Sequence, residues 1–292
     1  MTAVDVLIPT RSRPGLTARA IRSALAQTGA EVTVYVADDA SESAAFAELE
    51  NGFHDEPRVV LLRSEEQLGP AGARQMAFEA GAAEWVATLD SDDEWLPEKL
   101  QAQLGKARES GADVVICWFA WIRPDGSERI VRRPTGEGRV SPGLTNNIDV
   151  PLARRALVDA VGGFVGDEWT PRFCDEHLDF MIRLLSAAQV ATVSQVLVHC
   201  HDHLSARASD GVSVQVESLG QVVAHRGHLF EGFPDDLAGL HARYSARLLA
   251  ARHRREGVRQ LLTAFQLAGW KTRLNLLREF GPFTVKQLVR VR

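Results

Sequence analysis

Cysteine is scarce in this chain. Three in 292 residues, Cys117, Cys174 and Cys200, stand far apart and never form a Cys-x-x-Cys pair. That excludes a disulfide-built fold and a cysteine-ligated zinc finger, and it points to a reducing compartment. Excess positive charge is missing too. Thirty-three Lys and Arg against 38 Asp and Glu leave −5 at neutral pH, which argues against a nucleic-acid partner. Long apolar runs are absent. The longest, Val114 to Ile122, has nine residues, far short of the ~20 that cross a bilayer as a helix. The N-terminal MTAVDVLIPT has no basic segment and no long apolar one, so no export signal is expected. The expected location is cytoplasmic, either free or resting on the inner face of the membrane. Neither a Walker pattern nor GxGxxG occurs, which removes the main support for an ATPase or a dinucleotide-dependent dehydrogenase.

What is present is ordinary globular composition, 45% apolar and 24% charged, at a length that suits two domains or one large α/β domain. Apolar runs alternate with helix-period segments through the first 120 residues. Val4–Ile8, Val32–Ala37, Val59–Leu62, Trp85–Leu89 and Asp113–Trp121 read as strands. Pro14–Gln27, Ser41–Leu49, Pro70–Ala80 and Pro97–Ser110 read as helices, with Ser41 a candidate N-cap. This order implies a mostly parallel sheet with right-handed crossovers and helices on its faces. Ligands then sit outside the carboxyl ends of the strands, where Thr10, Arg11, Arg13, Asp38, Asp39 and Asp90 to Asp93 gather. Beyond residue 120, Arg123–Asn147 reads as hairpin or loop, Arg154–Val161 and Asp175–Ala187 as helices and Val190–His199 as a strand; after about Ser205 the pattern is helical.

Three constellations carry chemistry. Asp90-Ser91-Asp92-Asp93 crowds three carboxylates at a strand end. They repel one another unless a cation screens them, and all-oxygen ligands suit Mg²⁺ or Mn²⁺ bound together with substrate phosphates. The other reading is acidic charge ahead of the following helix. Asp38-Asp39 can accept hydrogen bonds from a base or a ribose, or can form an Asx turn. Gln67 to Arg74 is a Gly-rich approach to a helix N-terminus, where free N–H groups favour anions.

Five motifs in order then resemble the family 2 glycosyltransferases of GT-A fold. They are Val4-Asp5-Val6-Leu7-Ile8-Pro9-Thr10, Ala20 to Thr28, Val36 to Ser41, Leu68 to Arg74 and Trp85 to Pro97. The likeness covers residues 3 to 120 and, more loosely, 150 to 205. It implies a GT-A domain over 1–205, with a nucleotide-sugar half (1–120) and an acceptor and catalytic-base half (121–205), followed by a basic helical region over 206–292. It implies that Pro9, Thr10, Arg11 and Arg13 line the nucleotide pocket. Asp39 would hold the base, typically uracil, with Asp38 beside it. Gly69 and Arg74 would lie near the diphosphate. Asp90, Ser91 and Asp92 form the DXD motif, with Asp92 the main ligand to Mn²⁺ or Mg²⁺. His203, followed by Ser205, would help bind the metal or the diphosphate.

The base is expected in Asp175-Glu176-His177. Relatives open this helix with a Glu-Asp pair. Aligning Arg183-Leu184 sets Glu176 on the family Glu and His177 where the Asp base belongs, so Glu176, Asp175 and His177 all remain open, the acidic pair favoured. The reaction implied is single-displacement transfer from a UDP- or dTDP-sugar to an acceptor hydroxyl. A nucleotide-sugar-binding protein without transfer is the alternative, and a nucleotidyltransferase lacks its Gly-rich loop after the first strand. Trp118, Trp121 and Trp169 could stack on a sugar or pack in the core. From His241 to Arg292 there are 12 Lys and Arg but 2 Asp and Glu. Val258, Leu261, Leu262 and Phe265 share one helical face there, so this arm could lie on an anionic membrane, dock on the acidic body or join an oligomer.

Overall fold

The computed structural model describes residues 1–145, 147–170, 174–201 and 211–288. β1 (Thr2–Thr10), α1 (Pro14–Leu25), β2 (Ala30–Asp39), α2 (Ser43–Phe53), β3 (Val59–Ser64), α3 (Gly69–Ala80) and β4 (Trp85–Thr88) form the first half. β5 (Glu94–Trp95), α4 (Lys99–Ser110), β6 (Val114–Ile122), β7 (Glu128–Val131), β8 (Glu137–Gly138), β9 (Leu152–Arg154) and α5 (Arg155–Ala160) follow. Then come α6 (Glu176–Ala187), β10 (Val190–His201), α7 (Val212–Arg226), α8 (Pro234–Ala250), α9 (Arg254–Leu267) and α10 (Trp270–Leu288).

The sheet runs β3-β2-β1-β4-β9-β6-β10-β5. β1 is parallel to both β2 and β4, β2 is parallel to β3, and β10 is parallel to β6. The expected parallel sheet is therefore mixed. The three-residue β9 lies antiparallel between β4 and β6, because the chain returns through the long 123–151 stretch instead of a helical crossover. Within that stretch β7 folds back on β6 as the expected hairpin.

Successive residues of β1 from Val4 to Thr10 are buried, as a strand covered on both faces requires. Pro14 sets the first turn of α1, and Ala20, Ile21 and Ala24 turn its apolar face inward. α4 ends at Gly111, whose φ of +70° supplies the left-handed cap. Two helix starts differ from the sequence reading. α2 begins at Ser43, and Ser41 caps nothing; its hydroxyl goes to Asp38. α4 begins at Lys99, since the Leu96 and Pro97 carbonyls accept bonds from Gln27 and Thr28.

The C-terminal helices share a core with the sheet domain. Leu178 and Ile182 of α6 pack with Leu219, Val222, Phe230 and Leu240. On α9, Leu261 is buried and Phe265 packs against Ala238, Ala242 and Ala264. The apolar face expected on that helix thus points into the protein, with Leu262 alone of the pair turned to solvent.

Candidate active site

At the carboxyl ends of β1, β2 and β4 opens a cavity of about 530 Å³, the place a doubly wound sheet offers a ligand. Pro9, Thr10, Arg11 and Arg13 reach it from the end of β1. The Thr10 hydroxyl is fixed 2.6 Å from that of Thr17. Ser12, at φ +51°, gives its N–H to Ser41 Oγ at 2.7 Å and so bends the loop over the strand end.

The two aspartates that close β2 part company. Asp39 lines the cavity, and its carboxylate accepts the N–H groups of Leu68 (2.5 Å) and Gly69 (3.1 Å). It thereby ties the start of α3 to the sheet. Asp38 does not line the cavity. It is buried behind the loop, accepting the Ser41 N–H at 3.1 Å and the Ser41 hydroxyl. Alternation of side chains along a strand sends neighbours to opposite faces, so the expected side-by-side pair does not form. Gly69 lies just behind the wall, at φ +76°, where a glycine bends the chain without strain.

Arg74, one turn into α3, is 3% exposed. Its guanidinium donates to Asp90 Oδ1 at 2.6 Å and to Glu176 Oε1 at 3.4 Å. Burial works against its charge, and the two carboxylates outweigh burial and raise its pKa.

The acidic loop after β4 is also divided. Asp90 and Asp92 line the cavity with Ser91, and Asp92 is 2.8 Å from Arg13. Asp93 turns into the interior beside Asp149 and Cys200, the three ligand atoms lying within 4.8 Å of one another. Burial, joined by the nearby Asp90 and Asp92 charges, pushes the Asp93 carboxyl up to about 7, and Asp149 is raised likewise. Burial thus favours the neutral form of these two carboxyls over the charged pair. Asp149 Oδ1 also accepts the Asp90 N–H at 2.7 Å, fixing the loop from behind.

The opposite wall is the start of α6. Asp175 sits at φ +58° with no capping bond of its own. Both its oxygens are taken by Arg247 of α8, through Nη1 and, at 3.0 Å, Nη2. Arg247 Nη1 also donates to the Gln215 carbonyl at 2.9 Å, and the Ser218 hydroxyl donates to the Cys174 carbonyl. Glu176 and His177 line the cavity, with His177 Nδ1 3.7 Å from Glu176 Oε1. Burial favours a neutral Glu176, but His177 and Arg74 overcome it and hold the carboxyl down at about 2. Burial likewise disfavours a charged His177, and Glu176 reverses that and raises it. Gln215, Arg243 and Arg247 complete the lining from α7 and α8.

Against known proteins, the family model described as "Glycosyl transferase family 2" matches residues 5–160. The chain belongs to glycosyl transferase family 2. It is 40% identical over 108 residues to the succinoglycan biosynthesis protein ExoO of Rhizobium meliloti, covering 37% of this chain and 30% of that one. It is 36% identical over 102 residues to WfgD of Escherichia coli, described as a UDP-Glc:alpha-D-GlcNAc-diphosphoundecaprenol beta-1,3-glucosyltransferase; here 35% of this chain meets 39% of the other. The matches therefore span well under half of these relatives. In fold the chain is similar to Staphylococcus aureus TarS 1–349 in complex with UDP-GlcNAc, with a TM-score of 0.65 at 14% identity and 91% of each chain covered. The architecture is GT-A, with helices added at the C-terminus.

Two carboxylate sets among the described residues could meet a divalent cation. Asp93, Asp149 and Cys200 are buried, and burial raises both acids and drives the Cys200 thiol far up. That set is a poor home for a hard cation. Asp90 and Asp92 present side chains 35% and 27% exposed toward the cavity, with guanidiniums beside them to balance charge once phosphates arrive. They fit Mn²⁺ or Mg²⁺. Of the histidines, His199 and His201 lie on β10 and His201 Nε2 is 3.4 Å from Glu94; His203 and Ser205 fall outside the described residues. The tryptophans are engaged elsewhere. Trp118 Nε1 donates to the Arg133 carbonyl at 3.0 Å, Trp121 meets Phe119 edge-on, and Trp169 stacks between His225 and Arg226.

Sequence reading missed Asp149, Gln215, Arg243 and Arg247. None sits in a local pattern; each is brought to the site from a distant segment. For Arg247 one signal existed, an arginine on the inward side of a helix whose apolar face is otherwise Ala and Leu.

Proposed function

We propose that this chain is an inverting glycosyltransferase that moves a sugar from a nucleoside-diphosphate sugar, in the first place a UDP- or dTDP-sugar, to an acceptor hydroxyl. The observation that carries the reading is Arg74. One buried guanidinium bridges Asp90 on the donor side and Glu176 on the base side of a single cavity. Thr10, Arg11, Arg13 and Asp39 would hold the nucleoside and its phosphates. The complexes of TarS with UDP-GlcNAc and UDP support that class of donor, and the printed name of WfgD supports a lipid-linked sugar as acceptor. Contact with an anionic membrane belongs to the same reading.

Glu176 is the better base. Asp175 spends both oxygens on Arg247, whereas Glu176 faces the cavity and is ionised at neutral pH, ready to accept the acceptor's proton. Arg74 and Arg13 would meet the phosphates, and His177 would share the proton that Glu176 takes. A Mn²⁺ or Mg²⁺ ion held by Asp92 and Asp90 would supply positive charge for the departing diphosphate. The wall from α6 to α8 bounds the far side of the cavity.

Calorimetric titration with UDP, dTDP, GDP and CDP, with and without Mn²⁺, tests donor class. Release of UDP from a panel of UDP-sugars, with water or added acceptor lipids, tests transfer. Binding of a nucleotide without release from any sugar nucleotide would favour the binding-protein alternative. Binding of none would end the reading.

A further inference from the structure

We infer that α10 is the membrane-contacting element of this protein, lying in the plane of an anionic lipid surface on the stripe Trp270, Leu274 and Leu277. The inference deepens the membrane contact named above and rests on that reading for its biological sense. Among the described residues, every exposed leucine or tryptophan falls between positions 262 and 277: Leu262 at 51%, Trp270 at 69%, Leu274 at 47% and Leu277 at 52%. Three of the four recur at i, i+4 and i+7, so they share one face of α10.

A different face holds the helix to the protein. Leu276 is buried, and it and Phe280 pack with Ala238, Ala242 and Ala268. At 100° per residue these two point about a quarter-turn away from the stripe. The stripe is thus left to solvent by a helix already docked elsewhere. A single exposed leucine is ordinary; large apolar side chains aligned on one face mark an interaction surface.

Charge selects the occupant. Exposed Lys271 and Arg278 flank the stripe, and Lys271 Nζ lies 5.5 Å from the Trp270 ring centre. The segment from His241 onward holds 12 Lys and Arg against 2 Asp and Glu. A second copy of the same cationic face would be repelled, while an anionic headgroup layer neutralises the cations as the apolar side chains enter the acyl boundary. Within reach of that boundary sits a tryptophan, the side chain best suited to the headgroup level.

The test is co-sedimentation of the full chain with vesicles of mixed phosphatidylglycerol and phosphatidylcholine, and of phosphatidylcholine alone. The wild type is expected to sediment with the mixed vesicles and to be largely released by high salt. L274Q/L277Q, at exposed positions and so neutral for folding, is expected to lower the partition coefficient about tenfold or more. K271E/R278E is expected to lose binding to the mixed vesicles and little on the neutral ones. UDP titration on the same samples keeps the two readings apart, because these variants should bind UDP as the wild type does. A wild type that stays in the supernatant, or an L274Q/L277Q variant that sediments unchanged, overturns the inference. So does a dimer in sedimentation equilibrium that L274Q/L277Q splits while vesicles bind nothing.

Discussion

The wall of the cleft formed by β1, β2 and β4 is held mostly by the sheet's own strand-end loops, and the wall formed by α6 is held by helices from the C-terminal part. In the first, Thr10 meets Thr17, Ser12 meets Ser41, Asp39 holds the N–H groups of Leu68 and Gly69, and Arg13 meets Asp92, every partner lying in a loop of the same sheet. In the second, Asp175 is gripped by Arg247, 72 positions away, Asp179 by Arg226, 47 away, and the Cys174 carbonyl by Ser218, 44 away. A parallel sheet delivers its loops to one edge whatever follows in the chain. A helix start in a left-handed conformation needs something outside itself to stay there. The first wall therefore rests on the sheet's own loops, and the second depends on α7 and α8.

That contrast can be broken most sharply at its chemistry. Asp92→Ala is expected to cut UDP-sugar turnover by about 10³-fold or more and to abolish any dependence on Mn²⁺; wild-type turnover in EDTA by this variant would remove the metal from the donor wall. Next comes the base. Glu176→Gln should cost about 10²–10⁴-fold in kcat, and Asp175→Asn distinctly less. Equal losses would mean that the two carboxylates are not doing different jobs.

Arg247→Ala is the direct test of the borrowed wall. We expect kcat to fall about 10- to 100-fold with the UDP Kd unchanged, and Arg247→Lys to restore only part of it, because one ammonium cannot make the bidentate contact. If UDP affinity falls along with kcat, the two walls are not independent.

A smaller effect lies behind the donor loop. A carboxyl raised in the folded state stabilises below its unfolded pKa, and that stability is lost as pH rises through the folded one. With Asp93 pushed up to about 7, the unfolding free energy from urea titrations should fall between about pH 4 and pH 7, by up to a few kcal/mol. Asp149→Asn keeps the oxygen that accepts the Asp90 N–H and should flatten that slope. An unchanged slope would show that burial does not hold these two acids neutral. Smallest of all, Ser41→Ala should cost about 1 kcal/mol of stability and leave UDP binding alone, as befits a contact behind the wall.

The same contrast explains what could be read in advance. Strand runs such as Val4–Ile8 and helix starts such as Pro14 are local patterns, so the sheet and its loop ends were legible, along with Thr10, Asp39, Arg74, Asp90 and Asp92 as neighbours of one crevice. Composition could not tell that Asp38 turns away, or that Asp93 leaves its neighbours to join Asp149, since face and rotamer are decided by packing. The antiparallel β9 was hidden because three residues carry no period. The apolar stripe of α9 was visible, but not whether protein or solvent would cover it.

Arg74 gives the cleft a memory of its contents. One guanidinium serves as counter-ion to two carboxylates, and a diphosphate settling beside Asp90 competes for it. On the proposed reading Glu176 would then lose the Arg74 share of what holds its proton affinity low and become a stronger proton acceptor. On that reading the donor would bind before the acceptor, and product-inhibition patterns test it.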